Sequence, residues 1–459
     1  MGTGLGQFIV IVVYVGSLSA CVASILWKPQ IGIYVVIPLL PFEVLRARLH
    51  EFPLGSHVIY LLLLSVIGGL LLKSQLSIPR TPVNRALLVF AVFLYLWLWR
   101  GAFYLSSPFP VLPSDPRLGV WKDFMAMPLL FVATLGAIRK PAQIRLVFLI
   151  VCLSVLIVDR STVMNIRSHN FVHFDENKRD GGPLGYAGSN GLAAFEAQCS
   201  CFLLGFVVFE KRLWRRLALY AVIALTVYCL LYSFSRGGYL SFLSGLLVLG
   251  FLKNRKIIIG LAVLLLAWQT LVPVAVQERI TMTYTEDDTL EASADQRVQL
   301  WTDAVELFSS NPVVGTGFVT YMYMGRVGHF TDTHNLYMKV LVETGIVGMF
   351  IFLWVLAKLF TIAFRLYRTS IDPFNRGVAL GLVSMFACLL VGNLFGDRWT
   401  YIEINGVLWV LFALAAQAYV VEGSEQASIA EAIEYEAPQV DGGVSASTLA
   451  PVEVWENGK

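Results

Sequence analysis

Apolar stretches separated by short polar intervals run the length of the chain. About thirteen can be marked, near residues 8–27, 31–46, 56–73, 86–105, 119–138, 144–159, 188–209, 216–235, 237–252, 256–275, 335–364, 376–396 and 400–421. Most are long enough to cross a hydrocarbon core of about 30 Å at about 1.5 Å per residue. They lack the strict alternation of a barrel strand, and in lipid every backbone polar group must be satisfied internally. The pattern predicts an all-α polytopic membrane protein with about 12–13 transmembrane helices.

One polar interval stands apart, 276–333, and the stretch that follows it opens at Thr333-His334-Asn335-Leu336-Tyr337. Inside the interval, Leu300, Ala304 (or Val305) and Leu307/Phe308 fall on one stripe, so 296–308 reads as an amphipathic helix. It either lies on the membrane or caps the helical bundle. Asn311-Pro312, Gly315 and Gly317 end it.

Composition agrees. The 459 residues are 57% hydrophobic and 14% charged, against about 25% charged in soluble proteins. Where the charges lie matters more than their sum of +3. Basic clusters at Lys73/Arg80/Arg85, Arg139/Lys140/Arg145, Lys211/Arg212/Arg215/Arg216, Lys253/Arg255/Lys256 and Arg365/Arg368/Arg376 alternate with the spans and fall on one side, the cytoplasmic one. The opposite side then carries Arg117, Arg179, the 276–333 loop, Asp397 and Arg398, while Arg46 and Arg48 break the rule. The N-terminus lacks a basic n-region, so its first apolar run is expected to stay as a helix. All six cysteines sit in apolar stretches, as small packing residues. The division expected is a membrane domain, 1–421, and an acidic tail, 422–459, with little order and no chemistry.

Three features on the outer side carry candidate chemistry. Arg179-Asp180-Gly181-Gly182-Pro183-Leu184-Gly185-Tyr186-Ala187-Gly188-Ser189-Asn190 is a glycine-rich turn entering a helix that Ser189 or Asn190 could cap. It reads as a simple turn or as an anion site. In Ser233-Phe234-Ser235-Arg236-Gly237-Gly238, Arg236 lies between two apolar segments. It is either a headgroup-snorkelling arginine or a donor fork for phosphate oxygens. His334 stands where a membrane helix meets water, as a polar anchor or as a proton acceptor. Lys339 and Glu343 are four apart and share a helix face; Glu343 is about 180° from His334 around the helix, which suits a residue that fixes the helix in the bundle. Glu286-Asp287-Asp288 reads as a solvated loop. The remaining histidines, His50, His57, His169, His173 and His329, form no metal motif, and no Walker, GxGxxG or GxSxG pattern occurs.

Taken in order, Arg179 with its glycine-rich sequel to Asn190, Ser235-Arg236-Gly237, and His334-Asn335-Leu336-Tyr337 with Leu341-Val342-Glu343-Thr344-Gly345 resemble the bacterial O-antigen ligase superfamily. That superfamily also holds Wzy-type polymerases and protein O-oligosaccharyltransferases. The segment from Arg297 through Gly317 resembles the external stretch that precedes the family's histidine. The resemblance covers roughly 30–420 and implies a GT-C-like fold with a core of about twelve spans, the first span here being an addition or a miscount. The Arg179 loop departs from the family's Asn-Pro-Asn wording, having Gly188-Ser189-Asn190.

What the resemblance implies is metal-independent, inverting glycosyl transfer at the outer face of the bacterial inner membrane, without a cofactor. The donor is a glycan on undecaprenyl diphosphate. His334 is implied as the general base, Arg179, Arg236 and Arg297 as diphosphate ligands, and Asn190, Asn335 and Glu343 as supporting residues. The acceptor is lipid A-core for a ligase, another lipid-linked glycan for a polymerase, or a protein hydroxyl for an oligosaccharyltransferase. The partners are thus lipid and glycan, and no nucleic acid is expected. A transporter or flippase is the reading from another class; it would place charges or helix breaks near the midplane of repeated halves.

Overall fold

The computed structural model describes residues 4–73, 78–112, 114–169, 171–282, 292–328 and 330–436. Glu286-Asp287-Asp288 and His329 lie outside them. The fold is all-α. Among the described residues, ten helices are long and apolar enough to cross a membrane, or eleven if the bent pair Gln30–Leu39 and Glu43–Leu49 is one span. That pair turns through 110°, after Pro38 and across Pro41. Two of the expected spans are shorter, Arg236–Leu252 and Lys256–Leu266, and the stretch after Ala267 breaks into single turns before Pro273.

The centre of the bundle is built from Gly188–Val207, Arg236–Leu252 and Pro373–Gly392, which pack on one another. Small residues let them close. A Cβ on Gly205 would lie 2.5 Å from the backbone of Gly381, and one on Gly245 would lie 2.5 Å from the sulfurs of Cys201 and Cys388. Close backbone approach of this kind drives helix association in lipid, where burial of apolar surface contributes little. All six cysteines are unbridged, as packing residues should be.

The chain divides into two compact units, Met1–Val420 and Val421–Lys459. The last helix, Ile402–Glu436, runs past residue 421, where the acidic tail begins.

Ala292–Ser310 is the amphipathic helix of the polar interval. Leu300, Ala304 and Leu307 are buried with Tyr321 and Val342, while Val305 is exposed. The helix therefore caps the bundle against Leu336–Thr369.

Leu336–Thr369 is not one straight rod. It breaks at Gly345, whose φ of 66° lies in the left-handed region, where a Cβ would stand 2.3 Å from the Val313 carbonyl oxygen. The preceding loop fills the break. Thr316 N and Gly317 N donate to the Val342 and Glu343 carbonyls at 2.9 and 2.8 Å, and Ile346 N donates to the Pro312 carbonyl at 2.9 Å. Helix groups orphaned by the break are thereby satisfied.

Candidate functional site

Five arginines line one cavity of about 170 Å³: Arg179, Arg236, Arg279, Arg297 and Arg398, against a single carboxylate, Glu176. The local fold explains why they meet. Ser235 caps the Arg236–Leu252 helix by accepting from Gly238 N at 3.3 Å, so Arg236 opens the helix at its positive end. Asn190 ties the two motif loops together: its Oδ1 accepts from Arg179 Nη2 at 3.1 Å and from Ser235 Oγ at 2.7 Å. The expected capping by Ser189 or Asn190 is not found, because the helix begins at Gly188 without a side-chain cap and Asn190 is engaged as this bridge. Arg279 is buried, donates from Nε to the Phe234 carbonyl at 3.3 Å, and stands 3.7 Å from Glu176, which also takes Arg179 at 2.5 Å. Arg236 Nη1 donates to the Met282 carbonyl at 3.0 Å.

His334 sits beside this cavity in a tight turn. Its φ is 50°, a left-handed value that costs a non-glycine residue about 1–3 kcal/mol. Two other left-handed residues, Phe234 and Val319, lie in the loops that reach this region, so backbone strain gathers around it. The turn is pinned on both sides. Trp301 Nε1 donates to the Thr333 carbonyl at 3.2 Å. Asn335 caps the following helix, its Oδ1 accepting from Tyr337 N at 3.0 Å and Met338 N at 3.3 Å. His334 N donates to Asp332 Oδ1 at 3.0 Å. The imidazole is held below its ordinary proton affinity, first by burial and then by the positive charges of Arg297 and Arg398, with Asp332 opposing them. A depressed value keeps the ring neutral, the form in which it accepts a proton.

Glu343 holds the next layer. Its carboxylate accepts from Val319 N at 3.0 Å and Tyr321 N at 3.3 Å, clamping the 311–321 loop to the broken helix. Lys339, a candidate partner for Glu343 by spacing, instead pairs with Asp397 at 3.0 Å. Asp397 also accepts from Trp399 N and Thr400 N at 3.1 and 3.0 Å. Burial works to raise the Asp397 carboxyl, but the Lys339 charge and these hydrogen bonds outweigh it and hold it below the usual carboxylate range.

Sequence reasoning named Arg179, Arg236 and Arg297 and placed Arg398 on the outer side without a role. It missed Arg279, which hides in the polar interval without a motif around it. Asp332, two residues before His334, was also passed over. Arg326, also in the polar interval, is engaged elsewhere, donating to Asp303 Oδ1 at 2.7 Å. Arg46 pairs with Glu403 at 3.2 Å, so this exception to the charge rule has a local partner. Inside the bundle, Asp159, Glu196 and Cys229 bring possible metal-ligand atoms within 4.8 Å of one another. None of the three lines the arginine cavity.

A comparison with curated proteins finds no match. The family model described as O-antigen ligase matches residues 219–353, a stretch that contains Arg236, Arg279, Arg297, His334 and Glu343. The match covers less than a third of the chain and supports membership of the O-antigen ligase superfamily, membrane glycosyltransferases of the ligase and polymerase type.

Proposed function

We propose that this protein transfers a glycan from undecaprenyl diphosphate to an acceptor hydroxyl at the outer face of the bacterial inner membrane, with the O-antigen ligase reading first. The observation that carries the proposal is the convergence of five arginines on one cavity beside a depressed, half-buried histidine. As the bond between the anomeric carbon and the diphosphate oxygen breaks, its electron pair leaves with the diphosphate. Arginine forks and the N-terminus of the Arg236–Leu252 helix meet that growing charge. With this much fixed positive charge, the leaving group needs no divalent cation. The acceptor oxygen bonds to the anomeric carbon from the opposite side, with inversion, and its proton passes to His334, the general base. Arg179, Arg236 and Arg297, joined by Arg279 and Arg398, hold the donor. Asn190, Asn335 and Glu343 keep these groups in place.

Polymerase and protein O-oligosaccharyltransferase readings use the same donor chemistry and differ in the acceptor. The deciding assay uses purified protein in nanodiscs, a lipid-diphosphate-linked glycan, EDTA, and three acceptors offered separately: lipid A-core, more lipid-linked glycan, and a Ser/Thr-rich peptide. Transfer to lipid A-core that survives EDTA is the expected result. Transfer only to another acceptor replaces the ligase reading with one of the other two. No transfer by folded protein that binds the donor overturns the enzyme reading and favours transport.

A further inference from the structure

A second cavity, of about 540 Å³, lies among the Gly55–Leu72, Pro116–Ala137 and Leu336–Thr369 segments, within the usual range of about 300–1,000 Å³ for ligand pockets. Its charge is opposite in character to that of the arginine cavity. Two cations, Arg46 and Lys339, face four carboxylates, Asp123, Asp332, Glu343 and Glu403. Both cations already have partners: Arg46 pairs with Glu403 at 3.2 Å and Lys339 with Asp397 at 3.0 Å. Glu343 is taken by two backbone N–H groups. Lys122 pairs with Asp123 at 3.4 Å, but Asp123 and Asp332 keep acceptor capacity, since a carboxylate takes about four hydrogen bonds. Asp123 accepts from the Tyr60 hydroxyl at 2.6 Å, and the rings of Tyr60, Phe124, Phe318 and Tyr401 also line the space.

We propose, on the basis of the glycosyl-transfer reading above, that this cavity receives the acceptor and is selective for an uncharged sugar over a phosphorylated one. Hydroxyl donors suit the two carboxylates, and the apolar faces of a pyranose suit the rings. A phosphate would meet an excess of like charges, with the nearby cations each paired to a carboxylate: Arg46 to Glu403, Lys339 to Asp397 and Lys122 to Asp123. Asp332 gives the cavity its direction, because it lines the space and also accepts from His334 N at 3.0 Å. The end of the cavity at Asp332 is the end next to the base. An acceptor seated there presents its hydroxyl towards His334, with the donor diphosphate held in the arginine cavity beyond.

The test reads binding and does not depend on turnover. Protein in nanodiscs is photolabelled with a neutral disaccharide carrying a diazirine, and with the same disaccharide bearing a phosphate; labelled peptides are mapped by mass spectrometry. The neutral probe is expected to label peptides within 43–60 and 118–126 at least tenfold more than the phosphorylated one. Asp123→Asn and Tyr60→Phe should each cut that labelling about three- to tenfold, the effect of one lost hydrogen bond, whereas Arg236→Lys should leave it unchanged. Asp123→Lys should raise labelling by the phosphorylated probe towards that of the neutral one. Equal labelling by both probes, labelling confined to the arginine cavity, or no labelling of these peptides overturns the proposal. Failure of transfer in the three-acceptor assay counts against the enzyme reading instead, so the two failures are distinguishable. Melting temperatures of the variants separate lost binding from lost folding.

Discussion

The arginine cavity and the larger cavity that Asp332 lines have opposite chemistry. One is small and lined by five arginines against one glutamate; the other is larger and ringed by carboxylates and aromatic rings. The proposed glycosyl transfer accounts for both. Its leaving group gains negative charge and needs fixed cations. Its nucleophile is a neutral hydroxyl that must be oriented and deprotonated. A polar pore through the bundle would not need such a division. The contrast also fits the position of the proposed base: His334 lies close enough to Arg297 and Arg398 to feel their charge, while its backbone is tied to Asp332, which lines the larger cavity.

The sharpest way to break this comparison is to remove the group the two sides share. His334→Ala should lower transfer by about 10²–10⁴-fold with every acceptor, leaving the melting temperature near that of the parent. Relief of the left-handed strain on replacing histidine would not be expected, since alanine is no better suited to φ of 50°. Near-normal product would leave His334 a polar anchor.

Next in size come the donor-side arginines. Arg236→Lys keeps a charge but loses the fork, and Arg279→Lys does the same at a buried position. Each should raise the donor KM or lower kcat by about 10–100-fold in total, while the acceptor KM holds. An equal rise in both KM values would mean the cavities are not separate sites.

Much of this division was legible in the chain. The apolar stretches gave the helices because backbone satisfaction in lipid leaves few other choices. Arg236 and His334 stood out as polar residues at the ends of apolar runs. Arg279 and Asp332 did not, because each lies in a polar interval where one more charge is unremarkable; only folding brings them against Glu176 and His334 N. The Lys339–Asp397 pair spans 58 positions, and local spacing favoured Glu343 as the partner. Nor does a sequence disclose strain at His334, Phe234 and Val319, since φ is set by the loops around them.

The Lys339–Asp397 pair sharpens the comparison from the acceptor side. Lys339 lines the larger cavity, Asp397 precedes Arg398 of the arginine cavity, and Asp397 is buried. Lys339→Met should destabilise the protein by about 3 kcal/mol by leaving that carboxylate unpaired. Lys339→Met with Asp397→Leu should recover most of the loss, as read from melting curves of the single and double variants. If the double variant is no better than the single, the unpaired carboxylate is not the cause of the loss.

The smallest effect is the most specific to the base. As the proposed base, His334 must be neutral to accept a proton, so activity should rise with pH through the histidine's titration and then level off. Burial and the two arginines lower that titration, so the acid limb should lie below the ordinary imidazole value of 6.5. Its neighbours act with opposite signs. Arg297→Gln removes a positive charge, raises the proton affinity of the ring and should move the limb to higher pH. Asp332→Asn removes the opposing negative charge and should move it to lower pH. Both displacements are read from kcat/KM against pH, where the position of the limb is independent of how far each substitution lowers the plateau. Displacement of both limbs in the same direction, or of neither, would mean that the titrating group lies outside the Asp332–His334 turn.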